Sequence, residues 1–325
     1  MKSSLLAGVF ACALMLPGIA QAQDNYPPKP LRWIVTYAVG GGVDISARII
    51  TARMAELLGQ QIIVDNRAGA GGIIGADAGA KAAPDGYTVL NADTASLGIN
   101  PWLYKKLPYD PEKDFIAIGQ TISTSFTLSV PVSFPATDLK TFVEAVRAAP
   151  GKYTYGSPGL GTMPHLCAER VKAAAGGLDI VHAAYRGAGP AVNDLVAAQI
   201  AMSMLVPATL KPHMEGGKLR GLGVATFVRD PALPDVPTLE EQGMKGIDCT
   251  AWFGLFAPAK TPDAIIKRLS EALNTALSDP KVVERLNTTG LRPTAGTTPA
   301  SFDAMVREDR AKWGPVVKGI GLQLD

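Results

Sequence analysis

Apolar and polar positions alternate between two periods along almost the whole chain. Short apolar runs of four to eight residues read as buried strands, and the stretches between them carry apolar residues at three- and four-residue spacing, which reads as helix. The first pair is the clearest. LRWIVTYA predicts a strand over 31–38, and Ile45, Ile49, Ile50, Met54, Leu57 and Leu58 form one face of a helix over 45–58, with Ser46, Arg48, Arg53 and Glu56 opposite and Gly59 as its stop. The same reading gives strand 61–65, helix 71–81, strand 87–92 and strand 115–121. Strand 126–130, helix 138–148, strand 153–156, helix 164–175, strand 180–185, helix 189–197, strand 200–206 and strand 219–225 follow. Strand 251–257, helices 262–278 and 280–288 and a final helix 299–319 close the chain. Alternation of this kind predicts an α/β protein with mostly parallel sheets.

Between the first strand and helix stand three consecutive glycines, Gly40–Gly42, in YAVGGGVD. Glycines there let a ligand approach the backbone, and the helix N-terminus behind them presents free N–H groups and the positive end of a dipole, a natural seat for a carboxylate, sulfate or phosphate. A second turn of this type recurs in YTYGSPGLGTMPH, residues 153–165. Two half-size sheets, each with a glycine-rich turn at its carboxyl edge, suggest two lobes facing a cleft.

The chain begins MKSSLLAGVFACALMLPGIAQA, with Lys2 as a basic start, an apolar stretch Leu5–Leu16 and an A-x-A site ending at Ala22. This predicts a signal peptide over 1–22 with cleavage after Ala22, and a protein starting at Gln23 in the periplasm. A lipid anchor on Cys12 fits poorly, because Val9 stands where such a signal has leucine. Formal charge is +2, or +1 without Lys2, and basic residues are scattered without interleaved aromatics, so nucleic acid is not an expected partner. Cys167 and Cys249 remain after cleavage; the sequence leaves open whether they pair.

Ordered motifs carry a resemblance. YPPKPLRWIVTYAVGGGVD, GQQIIVDNRAGAGGIIGAD, PDGYTVL, NPWLYKKLPYDPEKDF, PGKYTYGSPGLGTMPHL, GKLRGLGVAT, LPDVPTLEEQG and WFGLFAPAKTP follow one another through nearly the whole mature chain. Together they resemble the Bug family of extracytoplasmic solute receptors of tripartite tricarboxylate transporters. The resemblance implies a periplasmic two-lobed Venus-flytrap protein, monomeric and non-enzymatic, which hands a carboxylated solute to a small and a large membrane subunit. It also implies that the loops at Tyr37–Asp44 and Ser157–His165 grip one ligand carboxylate. The expected lobes are 23–124 plus 250–325, and 125–249, joined near Thr124 and Cys249. Val39 replaces a common proline of the family, Val43 a common threonine, and Leu205 stands where many members carry an aspartate.

The expected ligand-binding residues are Tyr37, Ala38, Val39, Gly40, Gly41 and Asp44 from the first turn, Thr94, then Ser157, Gly159, Thr162 and His165 from the second, with Arg186, Leu205 and Pro207. Asp44 is most simply the helix N-cap. The Ser157 hydroxyl is expected to donate to the ligand. Arg186, ending a strand, is either a solvated charge or a bidentate partner for a carboxylate. Tyr37 and Phe253 are candidates for pocket walls. His165 and Cys167 have no companions at zinc spacing, so no metal or cofactor is expected. Gly69–Gly75 resembles a dinucleotide turn, but the spacing is wrong. Ser157 lies in GSPG rather than G-x-S-x-G, which leaves a secreted hydrolase acting on a carboxylated substrate as the alternative. Leu205 provides no partner for a buried ammonium, so a dicarboxylate or an aromatic carboxylate, terephthalate-like, is expected over aspartate or glutamate, its distal acid meeting Arg186 or a second-lobe hydroxyl.

Overall fold

The computed structural model describes residues 26–325; the predicted signal peptide and its cleavage site lie outside them. The strands collect into two sheets. The first contains β1 (Leu31–Val35), β2 (Ile62–Asn66), β3 (Thr88–Asp93), β4 (Phe115–Thr124), β10 (Ala251–Pro258) and β11 (Leu291–Pro293), in the order β11-β4-β10-β3-β1-β2. The second contains β5 (Thr127–Pro131), β6 (Thr154–Ser157), β7 (Val181–Ala184), β8 (Met202–Leu205) and β9 (Leu219–Val224), in the order β7-β6-β8-β5-β9. The chain leaves the first sheet between β4 and β5 and returns to it at β10, so each sheet is the centre of a lobe.

Both sheets are mixed. β1 pairs parallel with β2 and β3, whereas β10 runs antiparallel to β3 and β4, and β11 antiparallel to β4. In the second sheet β6 is parallel to β7 and β8, and β5 is antiparallel to β8 and β9. The two-lobed α/β architecture stands, with the expected parallel character confined to the halves that carry the glycine turns. β5 and β10 begin just after the crossings between lobes and β11 is a short edge strand, and periodicity alone does not report their direction.

Helices cover both faces of each sheet. α1 (Gly42–Leu58), α8 (Asp263–Leu277) and α9 (Pro280–Asn287) share a core with Leu31, Trp33 and Val35, whose neighbour Ile34 faces Ala76 of α2 (Ile73–Ala80) and Phe302 of α10 (Pro299–Ile320). This is the two-residue alternation of a strand buried on both sides. In the second lobe α4 (Leu139–Arg147) and α5 (Met163–Ala174) cover one face, and α6 (Ala188–Val196) and α7 (Pro207–Glu215) the other. A short α3 (Asn100–Leu103) follows a wide turn at Thr94–Ile99. Three elements were not expected: this turn with α3, α7, and β11. α7 starts at Pro207 and contains Pro212, so its sequence reads as loop, although Pro is well placed in a first helical turn. Cys167 and Cys249 form a disulfide with Cα atoms 6.0 Å apart, tying α5 to the segment just before β10.

Candidate functional site

The lobes meet around a cavity of about 50 Å³. Tyr37, Gly41, Gly42, Val43, Asp93, Ala251 and Phe253 line it from the first lobe; Phe126, Pro158, Thr162, Met163, Pro164, Ala188, Leu205 and Val206 line it from the second. Each contribution comes from the carboxyl edge of a sheet, and most of them lie where a strand hands over to a helix.

The helix starts explain what this arrangement can hold. Gly41 is the N-cap of α1, followed by Gly42 and Val43; Thr162 caps α5, followed by Met163 and Pro164; Ala188 opens α6; Val206 caps α7. Four helix N-termini therefore converge on one small volume. Each acts as roughly half a positive charge, contributing about 0.3–1 kcal/mol to a nearby anion when exposed and up to about 2 when partly buried. Among the described residues no backbone or side-chain acceptor takes the N–H of Gly42, Val43, Met163 or Ala188. No lysine or arginine lines the cavity. The positive ends of four helix dipoles and free backbone N–H groups thus face this volume without any basic side chain.

Glycines let the lobes close this tightly. A Cβ on Gly42 would lie 2.8 Å from Val206 Cγ2, one on Gly71 2.5 Å from the Leu160 carbonyl oxygen, and one on Gly187 2.7 Å from Ala38 Cβ. Within the Gly69–Gly75 run, Gly71 makes the close approach to the second lobe, while Gly75 lies tight against Thr36 and Arg67 of its own lobe.

Of the expected ligand residues, Tyr37, Gly41, Thr162 and Leu205 line the cavity, as does the candidate wall residue Phe253. Ala38 lies instead at the lobe contact against Gly187, and Val39 has its carbonyl beside Gly189 and its side chain exposed. Asp44 is not the N-cap. It occupies the third helical position, because α1 begins three residues earlier than its apolar face suggests. Its carboxylate accepts from the Gly40 N–H (3.0 Å) and from Asn66 Nδ2 (3.0 Å) and pairs with Arg48 (2.9 Å). That latch consumes the Gly40 N–H, so the donors facing the cleft are those of Gly42 and Val43. Thr94 bridges β3 and β10 through its hydroxyl, which accepts from the Trp252 N–H at 3.0 Å. Pro207, next to the lining Val206, lies against Gly290 of the first lobe.

Ser157 and His165 belong to a buried cluster behind the second turn. Ser157 Oγ is bonded to the Gly159 carbonyl (3.0 Å) and lies 2.7 Å from His182 Nε2. His182 stacks on His165 with ring centroids 4.2 Å apart, and His165 Nδ1 accepts from the Gly161 N–H at 3.1 Å. Burial, the largest cause in each case, depresses both imidazoles to about 4. Ser157 and His182 make a nucleophile–base pair in form only. Ser157 is fully buried and no carboxylate among the described residues accepts from His182. Gly159 stays with this turn and approaches Gly71 across the lobe contact. Arg186 is exposed and does not line the cavity.

The match to known proteins is extensive. The model of the tripartite tricarboxylate transporter family receptor covers residues 46–322. The chain belongs to this family. It is 37% identical over 317 residues to the UPF0065 protein in the tcbD-tcbE intergenic region of Pseudomonas sp. strain P51, covering 97% of this chain and 94% of that one. Its fold matches the periplasmic binding protein BugD with a TM-score of 0.89 at 31% identity, over 92% of this chain and 99% of that one. It matches R. palustris Rpa4515 with adipate with a TM-score of 0.88, also at 31% identity and over the same shares. The family is one of solute-binding receptors, and the chain is such a receptor rather than an enzyme. On the wall of the cavity where the helix N-termini converge stands one residue that no sequence motif singles out, Asp93. A strand-ending acid before a turn reads as an ordinary cap, so no local signal marks it.

Proposed function

We propose that this receptor captures a carboxylate in the periplasm between lobes 23–124 plus 250–325 and 125–249, hinged near Thr124 and Cys249, and delivers it to the small and large membrane subunits of a tripartite transporter. The ligand carboxylate sits on the N–H groups of Gly42 and Val43 at the start of α1, opposite the starts of α5, α6 and α7. Convergence of four helix N-termini on a cavity without a basic side chain is the observation that carries this reading. Phe126, Leu205, Val206 and Phe253 take the carbon skeleton, which suits an aromatic or aliphatic body. Adipate, the diacid in the Rpa4515 structure, shows the kind of solute a relative takes. For this chain a second acid is less favoured, because Arg186, its expected partner, is outside the lining.

The test is a thermal-shift and calorimetric screen of mono-, di- and tricarboxylates. A true ligand raises the melting temperature with concentration, by an amount equivalent to about 2.7 kcal/mol at 100 times its Kd, binds one-to-one and is recovered unchanged. If the corresponding primary alcohols stabilise the protein as well as the acids, or if no carboxylate does, the reading is wrong.

A further inference from the structure

Asp93 ends β3 and lines the cavity while only 4% exposed. Its Oδ1 accepts from the Ser96 N–H (3.0 Å) and Ser96 Oγ (2.6 Å), and its Oδ2 from the Tyr37 hydroxyl (2.8 Å). Tyr109, which also approaches, donates to the Ser96 carbonyl at 2.6 Å. No lysine, arginine or histidine among the described residues forms an ion pair with Asp93. Burial raises its carboxyl above the usual range despite the hydrogen bonds from Ser96 and Tyr37.

A cap at this turn needs an acceptor but not a charge: serine or asparagine caps as well as aspartate. Burying a carboxylate without a counter-ion costs several kcal/mol, and doing so on the wall of an anion site compounds the cost. The charge therefore exceeds what the local fold requires. A ligand bringing a cation would neutralise it. The apolar walls Phe126, Leu205 and Phe253 keep water out and strengthen such a pair.

We propose that Asp93 is the specificity-determining residue of this cleft: it receives the ammonium of an amino carboxylate whose own carboxylate lies on the helix N-termini, and it repels the second acid of a diacid. This rests on the carboxylate-receptor reading above and names its substrate class. Each ligand charge then faces its opposite, whereas a diacid places two negative groups beside a third. Leu205 excludes a carboxylate partner only in the second lobe; the first lobe supplies one.

Two trios matched in shape test the proposal: 4-(aminomethyl)benzoate, 4-methylbenzoate and terephthalate, and 6-aminohexanoate, hexanoate and adipate. Calorimetry on the full mature chain should rank an ammonium acid tightest, its diacid weaker by about tenfold or more. In D93N, which keeps the acceptor for the Ser96 N–H, the ammonium acid should lose about tenfold or more and the diacid should gain. A diacid or plain acid binding as tightly as the ammonium acid in the parent overturns the proposal, and this comparison needs no variant. An unchanged ranking in a folded D93N overturns it too. Failure of all six, together with the wider carboxylate screen, overturns the receptor reading on which it rests.

Discussion

Replacing Gly42 with alanine tests whether the closed cleft depends on backbone approach. Gly42 is the first helical residue of α1, with none of the positive φ that would favour glycine, so an isolated first lobe tolerates alanine and gains up to about 1 kcal/mol in helix propensity. The new Cβ is 2.8 Å from Val206 Cγ2, below any normal contact, and Val206 is itself buried. Overpacking of this size costs about 1–3 kcal/mol. The overlap exists only when the lobes meet, so the cost falls on closure and weakens binding about five- to 150-fold. Because Gly42 also faces the cavity, Gly189→Val provides a second reading away from it: Gly189 lies in α6, and its Cβ would stand 3.1 Å from the Val39 carbonyl oxygen before either added methyl. Calorimetry measures the affinity loss, and small-angle scattering should show both variants more open than the parent. Melting temperatures without ligand should not fall by more than a degree or two. If both variants bind as tightly as the parent, or if both unfold several degrees earlier, the glycines serve packing within a lobe and the reasoning fails.

Two further outcomes follow from the second lobe. The Cys167–Cys249 bond closes a loop with a sequence separation of 82, for which the chain-entropy account gives about 4.5 kcal/mol, so C167A/C249A should melt about 10 °C or more below the parent; an unchanged melting temperature after full reduction would refute this. His165 and His182 take up protons near 6.5 when unfolded and near 4 when folded, so the unfolded chain binds more protons between those values and stability falls as pH drops through that window. For His165, only 3% exposed and faced by His182, Tyr155, Glu169 and Lys172, the loss is on the order of 3 kcal/mol; denaturant melts at pH 7 and pH 4.5 should show it, and H165Q should flatten the slope.

Both lobes were legible because each strand–helix step is a local pattern. Trp33 and Ile34 bury opposite faces of one strand, and Phe142 and Val146 one face of one helix, so burial at these positions follows from spacing alone. The errors arise where structure answers to something distant. Asp44 reads as a cap because the apolar face of α1 starts at Ile45, yet the helix begins at Gly42, and the carboxylate is drawn back to Gly40 and across to Asn66 on the next strand. α7 reads as loop because its two prolines are judged by propensity, while Leu210 is held in place by the core of the second lobe. The pairing of β10 with both β3 and β4 is a contact between residues more than 120 positions apart, and no window of sequence contains it.

The site divides along the same line. The half proposed to bind the anion lies in two contiguous turns, each a strand, glycines and a helix start, so sequence exposes it at once. The residues proposed to discriminate stand singly on separate segments: Asp93 at the end of β3, Phe126 at the crossing between lobes, Leu205 on β8 and Phe253 on β10. Leu205 and Phe253 are candidates from the sequence, whereas Asp93 and Phe126 carry no local pattern that marks them for binding. Physical logic favours such a division. A carboxylate is recognised by backbone N–H groups, which every sequence supplies wherever the chain turns correctly, so the grip is conferred by conformation. Discrimination between a methyl, an acid and an ammonium at the far end requires particular side chains, and on the reading proposed above one substitution at Asp93 or Leu205 would alter it without disturbing the glycine turns. A receptor of this construction can change what it carries while keeping the way it closes.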